Sequence, residues 1–364
     1  MQVKFIDLGA QYLSLREEIL ERFDAVSRSG NYVLGPDVGE FEKEFAAYCG
    51  VKHAVSMGNG SDALFLPLAC LGIGPGDEVI TPANTFHATA GMIARTGARV
   101  VFADARDDYN IDPAWVRKVI TPRTKAIVPV HLTGRVCDME AIQAIAGEHK
   151  LHIVEDAAQS VGATRHGRKA GSFGRAAGFS LHPLKNLHVH GDGGVVVTND
   201  TPLYERLLKY RNLGLRNRDE CEFWGINTRL DSIQAAIASL KLKHLDRWNR
   251  RFREIAHRYS GELAGIVGVP KDGGDEQPVY HRYIITHPKR DLLGTFLKKH
   301  GVDTRVNYPI PLHLQEAAKD LGYKRGDFPM AEKLADTILS LPIYPELPDE
   351  HVDYVIAKIR EFRS

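Results

Sequence analysis

Two side chains, Lys185 and Asp156, have the type and setting that chemistry requires. Lys185 lies in the stretch Phe179-Ser-Leu-His-Pro-Leu-Lys-Asn-Leu-His-Val-His-Gly-Asp-Gly-Gly194. Lysines are usually solvated surface groups, but apolar residues and a proline before this one and a glycine-rich turn after it predict a partly buried loop. A desolvated amine loses proton affinity and becomes a nucleophile for an aldehyde. Asp156 stands 29 positions earlier, at the end of the apolar run Leu151-His-Ile-Val154. Adjacent strand residues face opposite sides, so only one of Glu155 and Asp156 can enter a given cleft. Asp156 is the choice, because a buried carboxylate needs a cation and a protonated ring nitrogen would be one. Capping the following helix is the other role open to it.

A third element is Gly58-Asn-Gly-Ser-Asp-Ala-Leu64, between a strand candidate ending at Met57 and an apolar helix from Phe65 to Leu71. Glycines let backbone approach a ligand, and the free amides of a first helical turn favour an anion. A capped turn using Ser61 or Asp62 fits the same residues without a ligand. An amine, an acid and a phosphate cradle together point to pyridoxal phosphate. His188 and His190 lack a recognisable ligand set, so no metal is expected.

These residues need a scaffold, and between 50 and 200 short Val- and Ile-rich runs alternate with helical stretches, the pattern of a parallel sheet covered by helices. The strand candidates are His53–Met57, Glu78–Ile80, Arg99–Phe102, Lys125–Val130, His152–Val154 and Gly194–Thr198. In such sheets ligands bind beyond the carboxyl ends of the strands, where the candidate residues fall. A helix from Ser232 to Trp248 predicts a connection between domains, with a boundary near 240: a cofactor domain over 1–240 and a smaller C-terminal domain over 241–364. The length of 364 residues accommodates both.

With 47 Lys and Arg against 46 Asp and Glu, no net field favours nucleic acid or an acidic membrane. The basic run Arg247–Arg253 is read as a solvated helix face. Four scattered cysteines fit a reduced compartment, no apolar run nears the ~18 residues of a membrane span, and Met1-Gln-Val-Lys-Phe-Ile-Asp-Leu8 has no leader pattern. A cytoplasmic protein is expected.

The chain also resembles the pyridoxal-phosphate sugar aminotransferases of the DegT/DnrJ/EryC1/StrS group. The similarity rests on Asn31-Tyr-Val-Leu-Gly-Pro36, Gly58–Leu64, Pro75-Gly-Asp-Glu-Val-Ile-Thr-Pro82, Val154–Gln159, the Lys185 segment, Gly225–Ala236 and Tyr308-Pro-Ile-Pro-Leu-His313. It implies an aspartate aminotransferase-like α/β fold (PLP fold type I): a mostly parallel sheet between helices, plus a smaller C-terminal α+β domain. It implies that Lys185 joins the cofactor aldehyde, Asp156 holds the pyridine nitrogen, Gln159 lies near the ring hydroxyl and Phe86 stacks on the ring. Gly60, Ser61 and Ser180 would hold the phosphate, with Asn227 from a second subunit of a homodimer. Arg229 and Tyr308 match positions that bind the donor carboxylate from the partner chain, and His313 is a candidate for the same region. Asn307 stands where some relatives have His before the Tyr.

The implied reaction is a two-stage transfer from L-glutamate to a UDP- or dTDP-linked keto sugar, 3-keto over 4-keto, with Lys185 as the base. An aminocyclitol ketone is an alternative acceptor, and a non-enzymatic regulatory protein on this fold is an alternative function. Relatives that dehydrate sugars have His at the Lys185 position, which sets this chain apart from them.

Overall fold

The computed structural model describes residues 1–362. At its centre is a seven-stranded sheet in the spatial order His53–Met57, Gly194–Thr198, Ala176–Ser180, His152–Asp156, Thr124–Ile127, Glu78–Pro82, Arg99–Ala103. The last five are parallel to one another, and Gly194–Thr198 runs antiparallel to both of its neighbours. The sheet is thus mostly parallel, and the chain is an α/β protein with the aspartate aminotransferase-like architecture.

Continuous Val and Ile runs form these strands because both sheet faces are covered. Val195, Val196 and Val197 are all fully buried. The Ala176–Ser180 strand reads differently. It is built from Ala-Ala-Gly-Phe-Ser, which has weak strand propensity, yet it occupies the middle of the sheet. Small residues are needed there: a Cβ on Gly178 would lie 2.5 Å from the carbonyl oxygen of Ala63 in the helix packed above.

The expected Ser232–Trp248 helix is two helices, Ser232–Leu242 and Leu245–Leu263, with a turn between them. The second buries Leu245, Trp248, Phe252, Ile255, Tyr259 and Leu263 along one face at helical spacing. Most of that face joins a separate C-terminal core with Tyr283, Leu339, Val352 and Ile356, and that core also takes in Val3. A two-stranded sheet, Tyr283–Thr286 against Ile338–Leu341, completes this region. Among the described residues no helix is long and apolar enough to cross a membrane.

Glu155 ties the central sheet to the loop beside it. Its fully buried carboxylate accepts from the N–H groups of Gly171 (2.8 Å), Phe173 (2.8 Å) and Gly174 (2.6 Å) and lies 2.8 Å from His131 Nε2. Glu155→Ala strands the buried amides of Gly171 and Phe173 and the part-buried amide of Gly174, each costing about 1–3 kcal/mol. Chemical denaturation is expected to show a loss of at least about 3 kcal/mol. A loss under about 1 kcal/mol contradicts this account.

Candidate active site

The strand His152–Asp156 sets the geometry by alternation. Glu155 faces the loop just described, and Asp156 faces the other side, where its buried carboxylate accepts from Thr89 Oγ1 (2.8 Å) and the Ala158 N–H (3.1 Å). Both donors are neutral, and no Lys, Arg or His lies within ion-pair distance of Asp156 among the described residues. Burial raises its pKa, while the Thr89 and Ala158 hydrogen bonds and the more distant charges of Lys185 and His131 oppose the rise. A carboxylate in that setting suits a ring N–H⁺.

Lys185 is presented by a loop pinned on both sides. Leu181 donates its N–H to the Gly193 carbonyl (2.8 Å) and Val189 its own to Leu181 (2.9 Å), closing the loop, while Leu187 and Val189 anchor it in the core. Asn186 donates to Asn249 Oδ1 (3.0 Å) and to the Val279 carbonyl (3.1 Å), and His188 Nδ1 lies 3.0 Å from the Lys185 carbonyl. The part-buried Lys185 amine is pulled down from 10.5 to about 8, by desolvation first and by the Arg282 charge second, against the opposing Asp156.

Gln159 links the site to the C-terminal region. Its Oε1 accepts from the Thr133 N–H (2.8 Å), and its Nε2 donates to Tyr308 Oη (2.9 Å). Thr133 and Tyr308 both adopt left-handed backbone conformations, with φ of 61°, unusual for non-glycine residues. Phe86, half exposed, lies across from Tyr308 with ring centroids 6.2 Å apart.

The third element is the helix Gly60–Cys70. Its cap is Asn59, which accepts from the Asp62 N–H (2.8 Å), and not Ser61 or Asp62 as expected. The Ser61 hydroxyl is therefore not used as a cap. Gly60 sits against Ser180: a Cβ there would lie 2.6 Å from Ser180 Cβ. Gly194 backs the same turn, where a Cβ would come 2.2 Å from the Asn59 carbonyl oxygen. The first turn of this helix, set against a serine, is a setting that favours an anion. With a buried acid, a depressed lysine and this cradle, the residues fit pyridoxal phosphate.

Of the expected residues, hydrogen bonds and coupled charges bring Lys185, Asp156, Gln159 and Tyr308 together, and Gly60 meets Ser180 at the cradle. Tyr308 is joined to Gln159 of its own chain. Asn227 is exposed, and Arg229 is turned to Asn212 Oδ1 (3.1 Å). Their neighbour Thr228 bonds Asp62 (2.7 Å) and the Gly58 N–H (3.0 Å). His313 is paired with residues of the C-terminal part. It is buried, with Nε2 3.0 Å from Glu332 and its ring packed on Phe328, while Nδ1 has no hydrogen-bond partner. Asn307 is held by Ser340 (2.7 Å). Sequence reasoning missed Thr89, Thr133 and Arg282, which become neighbours only through the fold.

The profile of the DegT/DnrJ/EryC1/StrS aminotransferase family matches residues 13–360. A Geobacillus stearothermophilus protein named as a pleiotropic regulatory protein is 48% identical, covering 100% of this chain and 99% of its own. The dTDP-3-amino-3,4,6-trideoxy-alpha-D-glucose transaminase of Streptomyces venezuelae is 45% identical over 99% and 96% of the two chains. The crystal structure of S. venezuelae DesV in complex with a ketimine intermediate superposes with a TM-score of 0.97, at 45% identity over 99% and 98%.

In the apoprotein, Lys185 is expected to capture a small aldehyde with a rate that rises about tenfold per pH unit up to about pH 8 and then levels. Asp156→Asn removes the charge that holds the proton on and moves the midpoint lower. A wild-type rate that keeps rising towards 10.5, followed by reductive trapping at Lys185, contradicts the desolvated setting.

Proposed function

We propose that this chain, which belongs to the DegT/DnrJ/EryC1/StrS aminotransferase family and is a pyridoxal-phosphate-dependent sugar aminotransferase, moves the amino group of L-glutamate to a UDP- or dTDP-linked 3-keto sugar. The observation that carries the site assignment is the convergence of Lys185, Asp156, Gln159 and Tyr308 beside the Gly60 cradle. Preference for C3 is supported by the S. venezuelae relative, whose name specifies a 3-amino sugar.

When bound, the cofactor supplies an electrophilic carbon and a ring that accepts negative charge. Asp156 would hold the ring nitrogen in its protonated form and Gln159 would face the ring hydroxyl, its amide already oriented by Thr133 and Tyr308. Phe86 would cover one ring face, and Gly60, Ser61 and Ser180 would hold the phosphate. Lys185 Nζ takes a proton from the Cα of the donor, a task suited to an amine whose pKa is depressed to about 8. The same amine returns a proton to the carbon of the acceptor in the second stage.

Asn227 and Arg229 of a second copy would complete the site, Asn227 at the phosphate and Arg229 at a carboxylate of glutamate. Exposed apolar side chains support a homodimer: Tyr32, Val33, Leu213 and Trp224, the last 90% exposed. The four cysteines are free, in keeping with a cytoplasmic setting. A cofactor domain over 1–240 and a C-terminal domain over 241–364 belong to the same reading. Aminocyclitol ketones are the other acceptor class. A regulatory role is a second reading, carried by the name of the Geobacillus relative; an effect on transcription that survives Lys185→Ala would favour it.

The direct test is the absorbance spectrum of the holoprotein with L-glutamate, then with a panel of UDP- and dTDP-linked 3- and 4-keto sugars and aminocyclitol ketones. Glutamate is expected to convert the cofactor to its amine form, and a 3-keto nucleotide sugar to restore the aldehyde form. No conversion by glutamate refutes the donor, and restoration only by 4-keto sugars or cyclitols refutes the acceptor. For the shared site, Lys185→Ala and Asn227→Ala proteins are unfolded together and refolded. If Asn227 serves the partner, half the dimers are mixed and each has one intact site, giving about a quarter of wild-type activity. No gain over either variant alone contradicts the sharing.

A further inference from the structure

Arg282 is a largely enclosed cation with no ion-pair partner among the described residues, and unlike the buried Lys241 it borders a cavity shared with Lys185. It directly precedes the strand Tyr283–Thr286. Its Nε is sealed from solvent without a hydrogen-bond partner, Nη1 donates only to the His281 carbonyl (3.1 Å), and the guanidinium lies 5.3 Å from the Phe5 ring centroid. Among the described residues the buried arginines are each neutralised: Arg135 by Asp272 and Glu276, Arg211 by Glu42, Arg290 by Asp291. Among the described residues Arg282 has no such ion pair. An enclosed cation without a partner is costly, so its retention points to an anion brought by a ligand.

The position of Arg282 says which anion. It shares a small cavity of about 20 Å³ with Lys185, and it also borders a larger cleft of about 720 Å³ with Thr133, the residue that orients Gln159. Its charge is felt at Lys185, His182, His281 and Tyr308. An amino donor and Lys185 compete for one carbonyl carbon, so the donor nitrogen must come close to the place of Nζ. The α-carboxylate, attached to the carbon bearing that nitrogen, must then lie beside it. The diphosphate of a nucleotide sugar is separated from a reacting C3 by ring carbons, which takes it away from this position.

We infer that Arg282 is a specificity-determining residue that binds the α-carboxylate of the amino donor; this rests on the transamination reading above. It divides recognition of glutamate, with Arg282 of the same chain on the α-carboxylate and Arg229 of the second copy left for the distal one. It also explains why the cation that shares a cavity with Lys185 has no acid paired with it. A carboxylate from the chain would occupy the place the donor needs.

The test compares the wild-type holoprotein with Arg282→Gln and Arg282→Lys in single-turnover spectra. L-Glutamate is run in the forward direction, and the aminated nucleotide sugar in reverse. Arg282→Gln is expected to raise the half-saturating glutamate concentration roughly 10- to 100-fold, the worth of a charge-assisted hydrogen bond, with the amino sugar changed less than about threefold. Arg282→Lys recovers part of the loss. In the apoprotein, Arg282→Gln should also raise the Lys185 titration midpoint, because a repelling charge has gone. Equal weakening for both substrates, or weakening for the amino sugar alone, overturns the assignment, as does an unchanged response to glutamate. If wild-type protein itself does not respond to glutamate, the underlying transamination reading has failed instead, and the midpoint shift still reports whether Arg282 faces Lys185.

Discussion

Desolvation of two opposite charges at one cleft is the constraint on which the rest of the site depends. Asp156 is buried with neutral donors around it, and Lys185 is lowered to about 8 by its enclosure. Neither arrangement is favourable in isolation, because a carboxylate and an ammonium both lose hydration on burial. Rigid elements hold them in place. Asp156 is fixed by strand alternation against the saturated Glu155, and Lys185 by a loop clamped through Asn186 and Leu181. Side chains held by the fold in this way lose little further freedom when a ligand binds.

That assembly joins distant parts of the chain through single contacts. Gln159 follows the Asp156 strand, yet its amide is set by Thr133 on one side and by Tyr308, from the C-terminal part, on the other. Arg282 acts on Lys185 from the same C-terminal side. Movement of the C-terminal region would therefore alter the orientation of Gln159 and the proton affinity of Lys185 together. The left-handed backbones of Thr133 and Tyr308 fall at these junctions, where strain tends to be retained for function.

Local chemistry was legible in the sequence wherever a residue and its supporting element are neighbours in the chain. Gly194–Thr198 was read correctly because β-branched residues bounded by glycine and asparagine specify a strand, and the opposite facing of Glu155 and Asp156 followed from strand alternation. Ala176–Ser180 was not read, since the small residues demanded by the helix above it carry no strand signal. Nor could a hydrophobic pattern reveal that Gly194–Thr198 runs antiparallel, because burial has no direction along the chain. Thr89 and Arg282 were missed for another reason: each reaches the site across a long stretch of chain, and nothing near either marks it as a partner. His313 has partners of the same hidden kind, since Glu332 and Phe328 reach its ring only through the fold.

The central claim is that Lys185 is the amine that takes the cofactor aldehyde. Its most direct test is borohydride reduction of the holoprotein followed by peptide mass spectrometry. The account predicts a pyridoxyl mass on the peptide containing Lys185 and no incorporation in Lys185→Ala. Incorporation at another lysine in the wild-type protein, above all Lys241, which is also buried and lowered to about 7, would contradict it.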